Sequence, residues 1–245
     1  MIGILGGMGP QAGVDLATKV ISQTRAEKDQ DHIPLMLIGD PHVPDRTAFL
    51  FGRTDINPAH AMAKSVNMLI ASGAQCVGIA CNTAHSPPIF DVFERSVKAA
   101  HPGANLLHLI QETVRGIQAQ FPYAGKIGIL ATEGSYKFNL YDAPLSKAGF
   151  APLRPKNTQL LTDAIFDPKL GIKACSAPPT AEARSWIISS IENLIEQGAE
   201  AIILGCTELP LAVPESSHRG VPLIDPGMML ARALIRACAP DRLLP

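Results

Sequence analysis

The sequence predicts an α/β fold of two similar lobes, each a parallel β-sheet flanked by helices, related to one another by pseudo-twofold symmetry. Three observations predict it. First, Ile2-Gly3-Ile4-Leu5 reappears as Ile127-Gly128-Ile129-Leu130, 125 positions further on, and Cys81 reappears at the same offset as Cys206. Second, Met62, Val66, Leu69 and Ile70 form one apolar helical face, and the same shift lands on Ile187, Ile191, Leu194 and Ile195. Third, strands and helices alternate along the chain, the signature of parallel sheets with helices on both faces. A duplicated unit fixes the architecture and tells which residues are equivalent.

The elements follow in order. Ile2–Leu5 is a short apolar run and reads as a buried strand, followed by a helix over Gln11–Glu27 and a second strand at Leu35–Ile38. A Pro-rich loop leads to the helix carrying Met62, which stops at Gly73-Ala74, and Gly198-Ala199 repeats that stop. After each Gly-Ala comes a run with the length and borders of a buried parallel strand, Cys76-Val-Gly-Ile-Ala and Ala201-Ile-Ile-Leu-Gly, and each ends at its cysteine. The expected domains are residues 1–112 plus 215–245 for the first lobe and 113–214 for the second. The stretch from Val221 through the apolar helix Met228–Cys238 is expected to return to the first lobe. A single doubly wound sheet is the alternative.

With 21 Lys plus Arg against 22 Asp plus Glu, the net charge of −1 leaves no excess for a nucleic-acid or membrane-surface partner. At 47% hydrophobic and 18% charged, the 245 residues can bury one large core or two small ones, which excludes intrinsic disorder. MIGILGGMGP lacks the basic flank and apolar core of a secretory signal, and no run approaches the roughly 20 apolar residues of a membrane span. A cytoplasmic protein is expected. The five cysteines, Cys76, Cys81, Cys175, Cys206 and Cys238, are odd in number and never in a C-x-x-C pair. Neither a disulfide framework nor a zinc site is therefore expected. Cys76, Cys175 and Cys238 read as structural or incidental.

Cys81 and Cys206 differ from these because both stand at the carboxyl end of a strand, where ligands of open parallel sheets bind. Each precedes small polar residues that would open a helix, Asn82-Thr83 and Thr207-Glu208. Backbone N–H groups at a helix start favour thiolate over thiol and attract anions. Two equivalent thiols facing one cleft from opposite sides suit inversion of a stereocentre: a thiolate removes the Cα proton and a thiol opposite returns one. That chemistry needs no cofactor and no metal, but it requires one cysteine ionised and the other protonated, a coupled pair.

On these residues the chain resembles the aspartate/glutamate racemase family, which inverts amino acids without pyridoxal phosphate, and most of all its aspartate racemases. The resemblance spans nearly the whole length. It rests on Gly6-Gly7-Met8-Gly9-Pro10, Pro44-Asp45-Arg46-Thr47, Cys81-Asn82-Thr83-Ala84-His85, Gly171-Ile172-Lys173-Ala174, Leu204-Gly205-Cys206-Thr207-Glu208 and Pro222-Leu223-Ile224-Asp225. It implies that Cys81 and Cys206 are the two bases, that the active site lies between the lobes, and that the substrate is aspartate, glutamate or a broader set of amino acids. It also implies substrate contacts from Met8, Arg46, Asn82, Thr83, Thr132, Lys173, Thr207 and Glu208. Arg46 and Lys173 would hold substrate carboxylates, and Asn82, Thr83 and Thr207 the α-carboxylate end, in keeping with an arginine fork taking a carboxylate bidentately. Dimers are common in that family, and the 5% aromatic content neither supports nor excludes a dimer interface.

The chain departs from the family pattern at His42, where a small polar residue is usual, at Ser86-Pro87-Pro88, whose prolines are expected to shorten or bend the helix opening at Asn82, and at Cys175–Pro179. These departures bear on substrate choice more than on reaction type. Rival readings are fewer in their support. Gly7-Met8-Gly9-Pro10-Gln11-Ala12 fits G-x-G-x-x-A, a dinucleotide fingerprint, but Asp40 lies 33 positions beyond Gly7 where about 20 is usual, and Pro10 removes an N–H from the cradle. Cys81 and His85, four residues apart, could form a thiol hydrolase or metal pair, which leaves Cys206 unexplained. Decarboxylases and isomerases of small dicarboxylic acids share the fold, and this chain keeps both cysteines, which favours a racemase.

Overall fold

A computed structural model describes residues 1–245. In chain order the elements are β1 (Ile2–Gly6), α1 (Pro10–Ser22), β2 (Leu35–Gly39), α2 (Arg46–Leu50), α3 (Ala59–Ala71), β3 (Cys76–Ile79), α4 (Pro87–Ala100), β4 (Leu106–Leu107) and α5 (Leu109–Gln120). There follow β5 (Lys126–Ala131), α6 (Glu133–Lys137), α7 (Asp142–Lys147), β6 (Ala151–Leu153), α8 (Thr158–Phe166), α9 (Ala181–Glu196), β7 (Ala201–Gly205), α10 (Leu209–Ala212), β8 (Ser217–His218), β9 (Val221–Ile224) and α11 (Pro226–Cys238). They form two compact units, Met1–Glu112 with Gly227–Pro245, and Thr113–Pro226.

The first unit holds a four-stranded parallel sheet in the order β2-β1-β3-β4. Its central strands are apolar throughout, with Ile2, Ile4, Leu5, Val77 and Ile79 buried, as strands covered on both faces must be. From α3, Met62, Val66 and Leu69 are buried and Ile70 is half-buried. The second unit repeats the order as β6-β5-β7-β9, all parallel, and adds β8 antiparallel at the edge. Here Ile187, Ile191 and Leu194 of α9 are buried and Ile195 is half-buried, so the repeated face matches position by position. Each half buries this face against strands of its own sheet, the apolar contact that makes α3 and α9 helices.

The repeated stop is a repeated cap. Gly73 and Gly198 take left-handed φ values of 98° and 87°. The N–H groups of Gly73 and Ala74 donate to Ile70 O and Leu69 O, and those of Gly198 and Ala199 donate to Ile195 O and Leu194 O. Both are Schellman motifs, which glycine adopts without a Cβ penalty.

Four expectations need correction. Val221–Ile224 does not return to the first lobe: it pairs with β7 as β9 of the second sheet, and the return begins at Gly227 rather than at residue 215. The helix expected to reach Glu27 ends at Ser22, because Thr24 turns its hydroxyl back to Val20 O and bridges antiparallel to Leu243. Pro87 and Pro88 do not shorten a helix that opens at Asn82. They open α4, at first-turn positions whose N–H groups have no intrahelical acceptor. Finally, Cys76 and Cys238 are paired as a disulfide with Cα atoms 6.6 Å apart, across a sequence separation of 162. The C-terminal helix, whose Leu230 and Leu234 pack over Gly78 of β3, brings Cys238 to the foot of that strand. Cys81, Cys175 and Cys206 are not in disulfides. No helix is long and apolar enough to cross a membrane.

Candidate active site

In the first unit the site residues lie beyond the carboxyl ends of β1, β2 and β3. Gly7 leaves β1 with φ 94°, and a Cβ there would come within 2.3 Å of the Asp40 backbone, so only glycine lets the two loops meet. Asp40 N donates to Gly6 O, while the Asp40 carboxylate accepts from His42 N at 3.0 Å and from Ser65 Oγ at 3.3 Å. Gly9 is the N-cap of α1 and Pro10 its first residue, so this glycine-rich turn closes onto Asp40. His42 itself points outward, its side chain 93% exposed.

Asp45 caps α2 by accepting from Ala48 N at 2.7 Å, which places Arg46 at the helix start. The guanidinium is turned inward. Nη1 donates to Val43 O at 3.1 Å and Pro44 O at 3.0 Å, and Nη2 donates to Met8 O at 3.2 Å. The residue expected to present a fork to a carboxylate therefore ties the β1 and β2 loops together. Its Nε is buried without a hydrogen-bond partner, a charged donor still available to an anion.

Cys81 follows the end of β3 after one residue, Ala80, and is buried, with Asn82, Thr83 and His85 buried beside it. The residues after it make a single 3-10 turn, Thr83–His85, instead of the expected helix start. A turn of three residues has no macrodipole of consequence, so the expected dipole support for a thiolate is missing here. His85 does not pair with the thiol as a hydrolase dyad would require: Nδ1 lies 2.8 Å from Cys81 O and Nε2 accepts from Leu109 N at 3.3 Å. Both ring nitrogens are committed to backbone.

In the second unit the corresponding residues follow β5 and β7. Thr132 caps α6, accepting from Ser135 N, and its hydroxyl lies 3.2 Å from Ser135 Oγ. Tyr136 supports this corner: its hydroxyl donates to Ile129 O at 2.8 Å and accepts from Ala131 N at 3.0 Å. Burial raises the Tyr136 phenol further above its ordinary range, so it stays neutral.

Cys206 is the first residue after β7, and its Sγ donates to Glu208 Oε2 at 3.0 Å. Thr207 Oγ1 donates to the same oxygen at 3.2 Å, and the other oxygen of Glu208 is ion-paired with Lys173. Lys173 reaches this pair from the loop after α8, held by Lys173 N donating to Ile165 O at 3.1 Å. Burial first, and then the Glu208 charge, push the Cys206 thiol well above its ordinary value, against a lowering by Lys173. The following helix, α10, has only four residues and offers little compensation. Glu208, though burial pushes its carboxyl up, is held below the usual value by Lys173 and by the hydrogen bonds from Cys206 and Thr207. Lys173, expected to hold a substrate carboxylate, already has a carboxylate partner.

One residue absent from the sequence argument belongs to this corner. Tyr141 is buried, hydrogen-bonds Thr113, and lies close to Asp225 and Cys206. It falls in no motif and marks no repeat, so no sequence signal points to it.

This arrangement has a testable consequence. Glu208→Gln keeps the shape and removes the charge that raises the Cys206 pKa, while the lowering by Lys173 stays. The Cys206 pKa then falls, and the thiolate absorbance of Cys206, titrated with Cys81 and Cys175 replaced by serine, appears at lower pH than in the same background with Glu208 intact. An upward shift or none would refute the assigned cause. The linkage sign is that of a raised pKa: the stability Cys206 contributes is complete below the unfolded thiol value of about 8.5 and is lost as pH rises through the folded value.

The family model described as Asp/Glu/Hydantoin racemase matches residues 5–234. The chain belongs to the Asp/Glu/Hydantoin racemase family. As a member it is a racemase, an isomerase. Among relatives, the chain is 26% identical to "Broad specificity amino-acid racemase RacX" of Bacillus subtilis over 241 residues, 96% of each chain. It is 31% identical over 180 residues to a glutamate racemase of Ectopseudomonas mendocina, covering 72% of this chain and 63% of that one. The Picrophilus torridus aspartate racemase superposes with a TM-score of 0.80 at 29% identity, over 96% of this chain and 93% of that one. The fold is thus the two-lobed racemase fold, and the dinucleotide reading of Gly7–Ala12 is set aside.

Proposed function

We propose that this racemase interconverts the enantiomers of an acidic amino acid, aspartate foremost, by proton transfer between the substrate Cα and the sulfurs of Cys81 and Cys206. The observation that carries the reading is the repeated placement of the two thiols. Each is outside any disulfide, each is buried, and each lies within two residues of the end of the third strand of a sheet with the order second-first-third. In the forward step the Cys81 thiolate takes the Cα proton and becomes a thiol, the electron pair moves onto the substrate carboxylate, and the Cys206 thiol delivers its proton to the opposite face and becomes a thiolate. The raised pKa of Cys206 suits it to carry the proton at rest.

Charge on the substrate needs fixed donors in a water-poor site. Arg46 Nε is one, and the amide of Asn82 and the hydroxyls of Thr83 and Thr132 supply neutral donors for the α-carboxylate, whereas the Thr207 hydroxyl donates to Glu208 and would have to turn from it to join them. In the Lys173–Glu208 pair, a second substrate carboxylate would compete with Glu208 for the ammonium. An acidic substrate is also in keeping with the aspartate and glutamate racemases among the relatives, while the broad-specificity relative makes the side-chain preference the first thing to measure.

The test is proton NMR of L-aspartate, and separately of L-glutamate, with purified enzyme in D2O without added cofactor, followed by chiral analysis. Loss of the Cα proton signal together with appearance of the D-isomer is expected, fastest with aspartate. Folded protein that exchanges neither substrate would overturn the reading.

A further inference from the structure

We infer that His85 is a positioning residue for Cys81, acting as a neutral imidazole that donates from Nδ1 to the Cys81 carbonyl while Nε2 accepts from the Leu109 N–H. The inference rests on the reading of Cys81 as a base, and it deepens that reading by naming what fixes the residue's backbone.

The tautomer follows from the two partners. A backbone N–H can only donate, so Nε2, 3.3 Å from Leu109 N, carries the lone pair. A carbonyl can only accept, so the proton is on Nδ1, 2.8 Å from Cys81 O. Both assignments agree, and a protonated ring would set an N–H against the Leu109 N–H. The surroundings hold the ring neutral. His85 is 2% exposed, stacked on Phe90 of α4 at 5.0 Å and faced by His108 at 4.6 Å. Burial, then the neighbouring His108, keep its pKa well below the usual imidazole value. Burial also lowers His108, to about 4, against the nearby carboxylates Asp91 and Glu94. No group packed against His85 favours its charged form strongly enough to offset burial.

The bridge joins two points that local structure leaves loose. Cys81 lies past the last ladder residue of β3, and Leu109 is the first residue of α5, whose N–H has no intrahelical acceptor. One ring satisfies both. It thereby ties the peptide that carries Cys81 to the start of α5, beyond α4 and β4, instead of leaving it to a three-residue turn. Proton transfer is sensitive to displacement: misplacing a reacting group by about 1 Å can cost on the order of 100-fold in rate.

Two substitutions separate the halves of the bridge. In His85→Asn the amide nitrogen occupies the place of Nδ1 and keeps the donor to Cys81 O. In His85→Gln the amide oxygen reaches the place of Nε2 and keeps only the acceptor for Leu109 N–H. Each loses one hydrogen bond, so their melting temperatures should drop alike. With Cys81→Ala measured alongside, we expect His85→Asn to retain kcat within about threefold, His85→Gln to lose on the order of 10- to 100-fold in kcat with KM little changed, and neither to alter the pH profile. Equal kcat in the two variants, with Cys81→Ala inactive, overturns the positioning role while leaving Cys81 a base. An active Cys81→Ala overturns the reading beneath it. Loss of a limb of the pH profile in both variants would make His85 a titrating acid or base instead. If the variants do not fold, nitrogen-15 NMR of the wild-type ring decides: a proton on Nδ1 throughout the active pH range is expected, and one on Nε2 or on both overturns the inference.

Discussion

Cys81→Ala and Cys206→Ala are each expected to abolish racemisation, with kcat/KM for both enantiomers falling by at least about 10³-fold, within the range for loss of a general acid or base. The argument is one of faces. Inversion requires removal on one side of the Cα and delivery on the other, and a residue that is base for one enantiomer is acid for its mirror image. Either deletion therefore leaves one side without a proton carrier in both directions. The fold should survive, because each side chain is small and ends a strand whose other contacts are intact, and thermal melting monitored by circular dichroism checks this. The two variants also separate the readings. If Cys206→Ala keeps wild-type activity while Cys81→Ala is dead, the two-base assignment fails and a single nucleophilic cysteine takes its place.

Gly7→Ala destabilises the first unit by about 3 kcal/mol, combining about 1–2 for an L side chain in a left-handed conformation with about 1–3 for overpacking. The methyl would sit 2.3–2.4 Å from the C, N and O atoms of Asp40, which are backbone and cannot swing aside as a side chain would. Since Arg46 Nη2 holds Met8 O in the same turn, displacing the turn is expected to move Arg46 as well, and on the proposed function to raise KM. Gly52→Ala is the control. It too has positive φ, 69°, but a Cβ there meets nothing within 4 Å, so only the conformational cost of about 1–2 kcal/mol applies. Denaturant titration of both variants tests the difference; equal losses would show that close approach to Asp40 contributes nothing.

Much of this molecule is legible in its sequence, because the deciding signals are local and occur twice. The apolar run of β1 and β5, the buried faces of α3 and α9, their glycine caps and the cysteine after β3 and β7 lie within about ten residues of one another along the chain or at one offset. Each reflects a short-range rule of burial or backbone geometry. The equivalence fails where insertions shift the offset: β6 and β9 do not fall 125 residues after β2 and β4, and β9, expected in the first lobe, lies in the second. Other features depend on which groups meet in space. The pairing of Cys76 with Cys238 spans 162 positions and has no periodicity to announce it. The opening of α4 at Pro87-Pro88 depends on where the preceding turn ends, since the same prolines that break a helix interior begin one well.

The same division runs through the candidate site. Sequence by itself determined the family and the two-lobed fold and singled out Cys81 and Cys206 as candidates, since spacing and residue type carry those. Only the tertiary structure decided their environments. Glu208, two residues from Cys206, could have been a solvated carboxylate; paired with Lys173 in the interior it is a fixed charge that adds to burial in raising the Cys206 pKa. His85, four residues from Cys81, could have been a catalytic partner; Leu109, 24 residues away, occupies its second nitrogen and makes it a backbone clamp. The physical reason is that a proton's affinity for a group depends on dielectric surroundings and on neighbours within a few ångströms, and packing sets both only after distant segments have come together.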